Sequence, residues 1–430
     1  MSRAGTLKLL FADARGTLYA HPHLRAAGMS GGNPAPLHGA TLLPYGARLM
    51  ALPGWDPVGL DPATGTYEIL KEVLVGRRWI RVCAVAAVPP PGYLRLLNPS
   101  AVRTADAPAL PLWAYTAAGG GPRGDMIAAA RGDPRRRWDT VHYDTPRLLP
   151  AIRLWLKDFP DNRIVRQLAR CATEYFCATA RNLFLARYEA ALPLSRACNS
   201  RCVGCISKQG GPHPCSQERI EFTPRVEEGV EVAARHLARA KDPVVSFGQG
   251  CEGEPLTAAP LAEQIIRGTR TLTRRGVFNM NSNGSMPEAF TRLIDAGLGS
   301  VRVSLNSAIP AHYDAYFRQR SYGFADVKKT VKIATSRGVF TSINLLVYPG
   351  VTDTEHETRA LVSFVKNTGA HFVQLRNLSI DPALYPGKSA PPQGRPVGMG
   401  AWLEQMRNAL PAVGFGCYNP TPTELSRFIG

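Results

Sequence analysis

The spacing of apolar and polar positions changes character twice along the chain. Up to about residue 145, short runs such as Tyr67-Glu68-Ile69-Leu70 and Trp79-Ile80-Arg81-Val82-Cys83-Ala84-Val85 alternate with Gly31-Gly32-Asn33-Pro34-Ala35-Pro36, Pro89-Pro90-Pro91-Gly92 and Gly119-Gly120-Gly121-Pro122. β-branched and aromatic runs bounded by such turn residues predict strands, so residues 1–145 read as a β-rich, irregular N-terminal domain. Residues 146–157 and 162–190 read as helices. In the second, Ile164, Leu168, Cys171, Tyr175, Ala178, Leu183 and Leu185 recur at helical spacing, with Asp161 as N-cap after Pro160. Residues 146–190 are thus a helical linker.

From about residue 191 strand and helix patterns alternate. Strands are predicted at 191–197, 243–248, 277–281, 300–305, 341–347 and 371–376, and helices at 225–240, 257–275, 286–296, 324–337 and 354–367. Alternation of this kind predicts a parallel sheet with right-handed crossovers. Six units are two short of a full eight-fold barrel. The expected fold is α/β: a partial, TIM-like (β/α)6 barrel over 191–380, preceded by the β-rich domain. It is followed by a short Pro/Gly-rich extension over 381–430, with one helix near 400–410.

Composition narrows the class. The length of 430 residues gives ample core. No run of about 18 apolar residues exists, so no membrane span is expected. Residues 1–10 are too short and too interrupted for a signal peptide, which makes the cytoplasm the expected compartment. Net charge is +18, but the basic residues are spread over the chain. The densest cluster is Arg135-Arg136-Arg137, and Lys71, Arg77, Arg78 and Arg81 flank Trp79. A nucleic-acid partner stays open on charge alone, although no recognised module is present.

Nine cysteines are too few for a disulfide scaffold. Three of them, Cys198, Cys202 and Cys205, fall within eight residues as C-x3-C-x2-C. Thiolates this close suit one soft metal centre. Two readings follow: an iron–sulfur cluster with one iron left open, or a zinc site in which His213 and Cys215 complete a tetrahedron with two of the thiols. The zinc reading belongs to a non-catalytic, nucleic-acid-binding protein.

With the strand before it and the βα alternation after it, the triplet resembles the cysteine loop of the radical S-adenosylmethionine (radical SAM) superfamily. The resemblance implies that Cys198, Cys202 and Cys205 ligate three irons of a 4Fe–4S cluster whose fourth iron binds SAM. Reductive cleavage of SAM then gives a 5′-deoxyadenosyl radical that abstracts hydrogen from a substrate. A small reductant protein such as a flavodoxin or ferredoxin is implied as electron donor. The residue before the third cysteine is usually aromatic in that superfamily and lies near the adenine. Here it is Gly204, so that contact is expected from Ile206 or a later strand.

In parallel barrels ligands bind at the C-terminal ends of strands. Gly248-Gln249-Gly250-Cys251-Glu252-Gly253-Glu254-Pro255 follows the second strand. It resembles the G-G-E-P segment that binds the amino group of SAM, matching at Gly253, Glu254 and Pro255, with Glu252 in place of the first glycine. Cys251 either faces substrate or is a packed thiol. Asn279-Met280-Asn281-Ser282-Asn283-Gly284 follows the third strand. By resemblance, Ser304 and Asn306 match the ribose and carboxylate contacts of the fourth strand, and Asn344 the polar residue of the fifth. Asp353 is expected to cap the next helix. Beyond the sixth strand, Arg376 and Asp381 are substrate candidates. Arg376 holds an anionic substrate group or the SAM carboxylate, or else pairs structurally with Asp381. Few cysteines follow residue 205, so a single cluster is expected unless Cys215, Cys251 and Cys417 converge. Radical SAM modification of RNA is the related alternative, in which Cys417 accepts a methyl group.

Overall fold

The computed structural model describes residues 7–37, 39–207, 213–385 and 394–428. Residues 1–6 of the segment read for a leader lie outside them. Residues 8–131 form antiparallel sheets, the largest of ten strands. The run 79–85 is two strands, Arg78–Arg81 and Cys83–Val88. Leu148–Asp158, Arg163–Thr173 and Ala178–Phe184 follow as helices. The cap of the second is Asn162, whose side chain accepts from Val165 N, and not Asp161.

A seven-stranded parallel sheet then runs in sequence order. Its strands are Arg187–Ala191, Lys241–Phe247, Val277–Ser282, Leu298–Leu305, Phe340–Val347, Phe372–Asn377 and Gly414–Gly416. Helices Val226–Arg239, Ala259–Leu272, Pro287–Ala296, Phe324–Ser336 and Glu355–Thr368 make the crossovers. This is the partial, TIM-like barrel, with seven strands in place of six: Gly414–Gly416, from the region read as an extension, pairs in parallel with Phe372–Asn377. Helix Met399–Ala409 precedes that added strand.

Three local readings are corrected. The stretch 162–190 is not one helix: Phe176 and Ala186 adopt positive φ of 52° and 51°, and the chain enters the first strand at Arg187. The expected strand 191–197 therefore starts earlier and ends at Ala191. Beyond it, the N–H groups of Leu194 and Ser195 donate to the Glu252 carboxylate at 2.7 and 3.0 Å, so a side chain replaces a strand as their partner. Thr354, and not Asp353, caps helix Glu355–Thr368; Asp353 accepts instead from the N–H of Gly350 and Gly398.

Side chains alternate faces along a strand. Phe278 and Met280, Val301 and Val303, Ile343 and Leu345, and Val373 and Leu375 are buried in the main hydrophobic core. The alternate positions are Asn279 and Asn281, Ser300, Arg302 and Ser304, Ser342 and Asn344, and Gln374 and Arg376. The lumen is therefore polar, unlike the packed apolar interior of a complete barrel. Its groups bond to one another. Ser246 donates to Glu189 at 2.6 Å, Asn279 to Ser246 at 3.0 Å, Ser300 to Asn279 at 2.9 Å and Asn344 to Ser304 at 3.0 Å.

A two-stranded N-terminal sheet, Tyr93–Arg95 paired with Ala129–Arg131, sits on the ends of the fifth and sixth strands. Arg95 donates to the carbonyls of Tyr115, Val347 and Leu378 at 2.8, 3.2 and 3.2 Å. Asn377 bridges back, accepting from Arg95 N at 2.9 Å and donating to Tyr93 O at 2.8 Å.

Candidate active site

The cysteine loop is held from several sides. The N–H groups of Arg201 and Val203 donate to Phe317 O and Tyr316 O at 3.0 and 2.9 Å, the end of helix Pro310–Phe317. The Asn283 amide donates to Asn199 Oδ1 at 2.8 Å and Ser200 Oγ at 3.1 Å, and Asn199 donates to Ser285 Oγ at 2.8 Å. On the second strand's side, Gly253 N donates to Ser195 O at 2.7 Å and Glu254 N to Ala197 O at 2.8 Å. A Cβ on Gly253 would lie 1.9 Å from Ala197 O, so this close backbone approach requires glycine.

Cys198, Cys202 and Cys205 line one cavity of ≈ 520 Å³ at the strand ends. Ile206, Gly253, Glu254, Ser304, Asn344 and Arg376 share it. Burial pushes the thiols of Cys198 and Cys202 up, and the neighbouring carboxylate and thiols push the same way. Glu254 is enclosed. Its carboxylate accepts from Ser282 Oγ at 2.6 Å, Asn283 N at 2.8 Å and Leu256 N at 3.1 Å, while burial pushes its pKa up to about 7. Those donors fix the side chain as the anchor of its loop. Glu252 does the same work where the resembling motif has glycine: besides Leu194 and Ser195, it accepts from Gly248 N and Gln249 N at 2.5 and 3.1 Å.

Gly204 has a steric reason. A Cβ there would lie 3.0 Å from Tyr316 Oη and 3.1 Å from Ser379 O. Tyr316, which also lines the cavity, fills the place of a larger side chain. Helix Pro310–Phe317 had no counterpart among the predicted elements. Its two turns are too short for a periodic signal, and Pro310 at its first turn was the sole cue.

Other candidates lie off the cavity wall. Cys251 is 1 % exposed, and the neighbouring Cys171 thiol and burial push its own thiol well up, so the substrate-facing reading gives way to the packed thiol. Asn306 is buried, donating to His312 O at 3.1 Å and Tyr385 Oη at 3.3 Å. Pro255 is buried at the start of a short 3-10 turn behind the glycine loop. Asp381 is buried and accepts from Leu110 N and Ala383 N, both at 3.0 Å. Arg376 donates to Cys417 O at 3.3 Å, not to Asp381. Cys417 is buried, and its pKa is pushed up to about 12, which does not suit a methyl-accepting thiol.

The zinc set is not assembled. His213 Nδ1 faces Leu110 O at 3.3 Å and Asp381 Oδ2 at 3.7 Å, and the Cys215 thiol reaches His213 O at 3.9 Å. Neither lines the cavity of the three thiols. Among the described residues, no three His, Cys, Asp or Glu side chains converge as a site for one ion. An iron–sulfur cluster asks for something different, one cysteine on each of several irons. Two of the three arginines in the densest basic run are spent internally: Arg135 pairs with Asp133 at 2.5 Å, and Arg137 with Glu424 at 2.5 Å.

The wall also carries buried polar atoms without partners: Asn344 Oδ1, Asn281 Nδ2, Gln249 Nε2 and Gln217 Oε1. Buried polar groups are normally satisfied. Three soft donors beside unused donors and acceptors fit a thiolate-bound cluster with a polar organic ligand. No helix among the described residues is long and apolar enough to cross a membrane.

Residues 192–362 match the family model described as the radical SAM superfamily, whose members bind a 4Fe–4S cluster and SAM. Among curated proteins, the FeMo cofactor biosynthesis protein NifB of Klebsiella pneumoniae is 26% identical over 198 residues, 41% of this chain and 42% of that protein. Molybdenum cofactor biosynthesis protein 1 of Mus musculus is 26% identical over 171 residues, 38% of this chain and 24% of that protein. The chain therefore spans less than half the length of either relative. Among solved structures, the FeFe-hydrogenase maturase HydG from Carboxydothermus hydrogenoformans overlaps 68% of this chain and 72% of its own, with a TM-score of 0.38 and 16% identity. SuiB of Streptococcus suis bound to S-adenosylmethionine overlaps 57% and 51%, with a TM-score of 0.38 and 12% identity. The thiol triplet, the glycine–glutamate loop and the strand ends that carry Asn281, Ser304 and Asn344 thus lie within the matched segment, Arg376 lies beyond it, and the chain matches the radical SAM superfamily over residues 192–362.

Proposed function

We propose that this cavity is the reaction site of a radical SAM enzyme acting on a substrate held in the barrel lumen. Cys198, Cys202 and Cys205 hold the 4Fe–4S cluster, and the Gly253–Glu254 backbone, Ser304 and Asn344 hold SAM. When bound, these groups supply a one-electron cleavage that yields a 5′-deoxyadenosyl radical able to abstract hydrogen from carbon. The observation that carries this reading is the placement of all three thiols on one cavity with Glu254, Ser304 and Asn344.

The chain's own residues do the positioning. Asn199, Asn283 and the end of helix Pro310–Phe317 fix the cysteine loop before any metal arrives. Glu254 holds its loop through three internal bonds, leaving the backbone of that loop to face the ligand. Asn344 keeps one oxygen free while its amide is tied to Ser304. Trp138 and Tyr418, stacked at 4.3 Å, close part of the wall and keep water from a reactive site. A flavodoxin- or ferredoxin-like protein supplies the electron. Anaerobic reconstitution with iron and sulfide tests the proposal: a brown protein that releases 5′-deoxyadenosine from SAM under reduction supports it. A colourless zinc protein that leaves SAM intact refutes it.

A further inference from the structure

The cavity wall brings two cations close enough to act on each other. Arg302 and Arg376 line the cavity from the fourth and sixth strands. Arg302 is surrounded by protein, with the surface it keeps open facing the cavity. One of its N–H groups reaches Gln374 Oε1 at 3.1 Å, and its Nε has no partner. Burial pushes its pKa down to about 10, and the nearby Arg376 charge pushes the same way. Arg376 spends one N–H on Cys417 O, at 3.3 Å.

The carboxylates on the wall are engaged by other donors. Glu189 accepts from Ser246 Oγ at 2.6 Å and from Asn419 Nδ2 at 2.8 Å. It acts on Arg302 only through space. Glu252 and Glu254, also on the wall, are engaged by backbone and hydroxyl donors. A guanidinium offers five N–H donors in a planar fork suited to carboxylate and phosphate. Two such forks on one wall repel each other, and a bound oxyanion turns that repulsion into attraction.

We propose that Arg302 and Arg376 together clamp the oxyanion of the substrate, a carboxylate or a phosphate, so that the enzyme acts on a small organic anion. This rests on the reading of the cavity as the reaction site. Arg302 lies two residues before Ser304 on the same face of its strand, which places it roughly 7 Å further from the cysteine-loop end. That offset sets Arg302 apart from the SAM contacts; Arg376, paired with Leu346 two residues beyond Asn344, lies nearer the mouth, and its share in the clamp is what SAM titration separates. The stacked Trp138 and Tyr418 on the same wall suit a flat apolar body attached to the anion.

Titration calorimetry on the full-length protein, both as isolated and with reconstituted cluster, tests this with phenyl phosphate, phenylacetate and the neutral phenylacetamide. One or both anions should bind about ten- to a hundred-fold more tightly than the amide. Arg376→Gln should remove that preference and Arg302→Lys should keep part of it, while SAM affinity stays unchanged. The order of the two anions identifies the oxyanion. Equal binding of the amide, binding of neither anion, or an unchanged anion preference in Arg376→Gln would overturn the clamp. So would a fall in SAM affinity matching the loss of anion binding. Anion binding that persists in protein unable to form a cluster supports the clamp while refuting the reaction proposed for the cavity.

Discussion

Arg95 and Arg302 are both enclosed arginines whose pKa values burial pushes down to about 10, yet their surroundings are opposite. Arg95 sits in the seam between the N-terminal sheet and the barrel. Its two terminal nitrogens meet three carbonyls from both sides of that seam, and Tyr348 packs against its face at 5.1 Å. Arg302 meets one side-chain amide, an open cavity and the charge of a second arginine. Nε is unpartnered in both, so that atom does not distinguish them. The terminal nitrogens do. A buried cation met by carbonyls from two layers is a fastener, and one facing open volume beside a like charge is a binding group. On the proposed reading, the seam is where this protein is held together, and the lumen is where it does chemistry.

That contrast predicts a separation of effects, and each of the following variants can break it. The largest effect is expected when Cys198, Cys202 and Cys205 are all changed to Ala. Iron content and 5′-deoxyadenosine formation should fall to background while the melting temperature stays close to that of the unreconstituted parent protein. Retained activity would remove the thiols from the account. Arg95→Met should do the reverse. Three carbonyls lose their donor, at a cost of about 3–6 kcal/mol measured by urea unfolding, while the folded fraction still binds iron. A loss of iron without a loss of stability would erase the distinction between the two arginines.

His236 sharpens the same contrast. It is fully enclosed, its Nε2 bonds to Tyr188 O at 2.7 Å, and burial pushes its pKa from 6.5 down to about 4. Between those values the unfolded chain binds the extra proton. Stability present above pH 6.5 is therefore lost as pH falls toward 4, by about 3 kcal/mol. His236→Gln should flatten that part of the stability–pH profile, and an unaltered profile would contradict the assignment. Gly253→Ala is expected to cost less stability than Arg95→Met. The added Cβ meets Ala197 O at 1.9 Å, so the loop must shift, at about 1–3 kcal/mol. SAM binding should weaken more than the melting temperature falls; the opposite order would make Gly253 a packing residue alone.

How much of this could be read beforehand follows from the range of the interactions. The thiol triplet is local, and five of the six expected strands are short apolar runs between turns, so they were legible. The first strand was not, because Tyr188, Glu189 and Ala190 continue a helical pattern until positive φ at Ala186 and Tyr188 breaks it. Glu189 went unread as a lumen group for that reason. The seventh strand, Gly414-Phe415-Gly416, has two glycines and little strand propensity; pairing with Phe372–Asn377 makes it one. Arg302 was passed over although the signal was present, in the polar residues at every second position of strands that are buried on their other face. The N-terminal sheet depends on distant pairing, such as Phe11 with Ala84 and Leu9 with Gly119, which no local pattern specifies.

The most direct test of the central claim is electron paramagnetic resonance of the reconstituted, chemically reduced protein before and after SAM is added. The account predicts a reduced 4Fe–4S signal that changes shape with SAM and is missing from the variant lacking Cys198, Cys202 and Cys205. A signal indifferent to SAM, or none from protein that has taken up zinc, would contradict it.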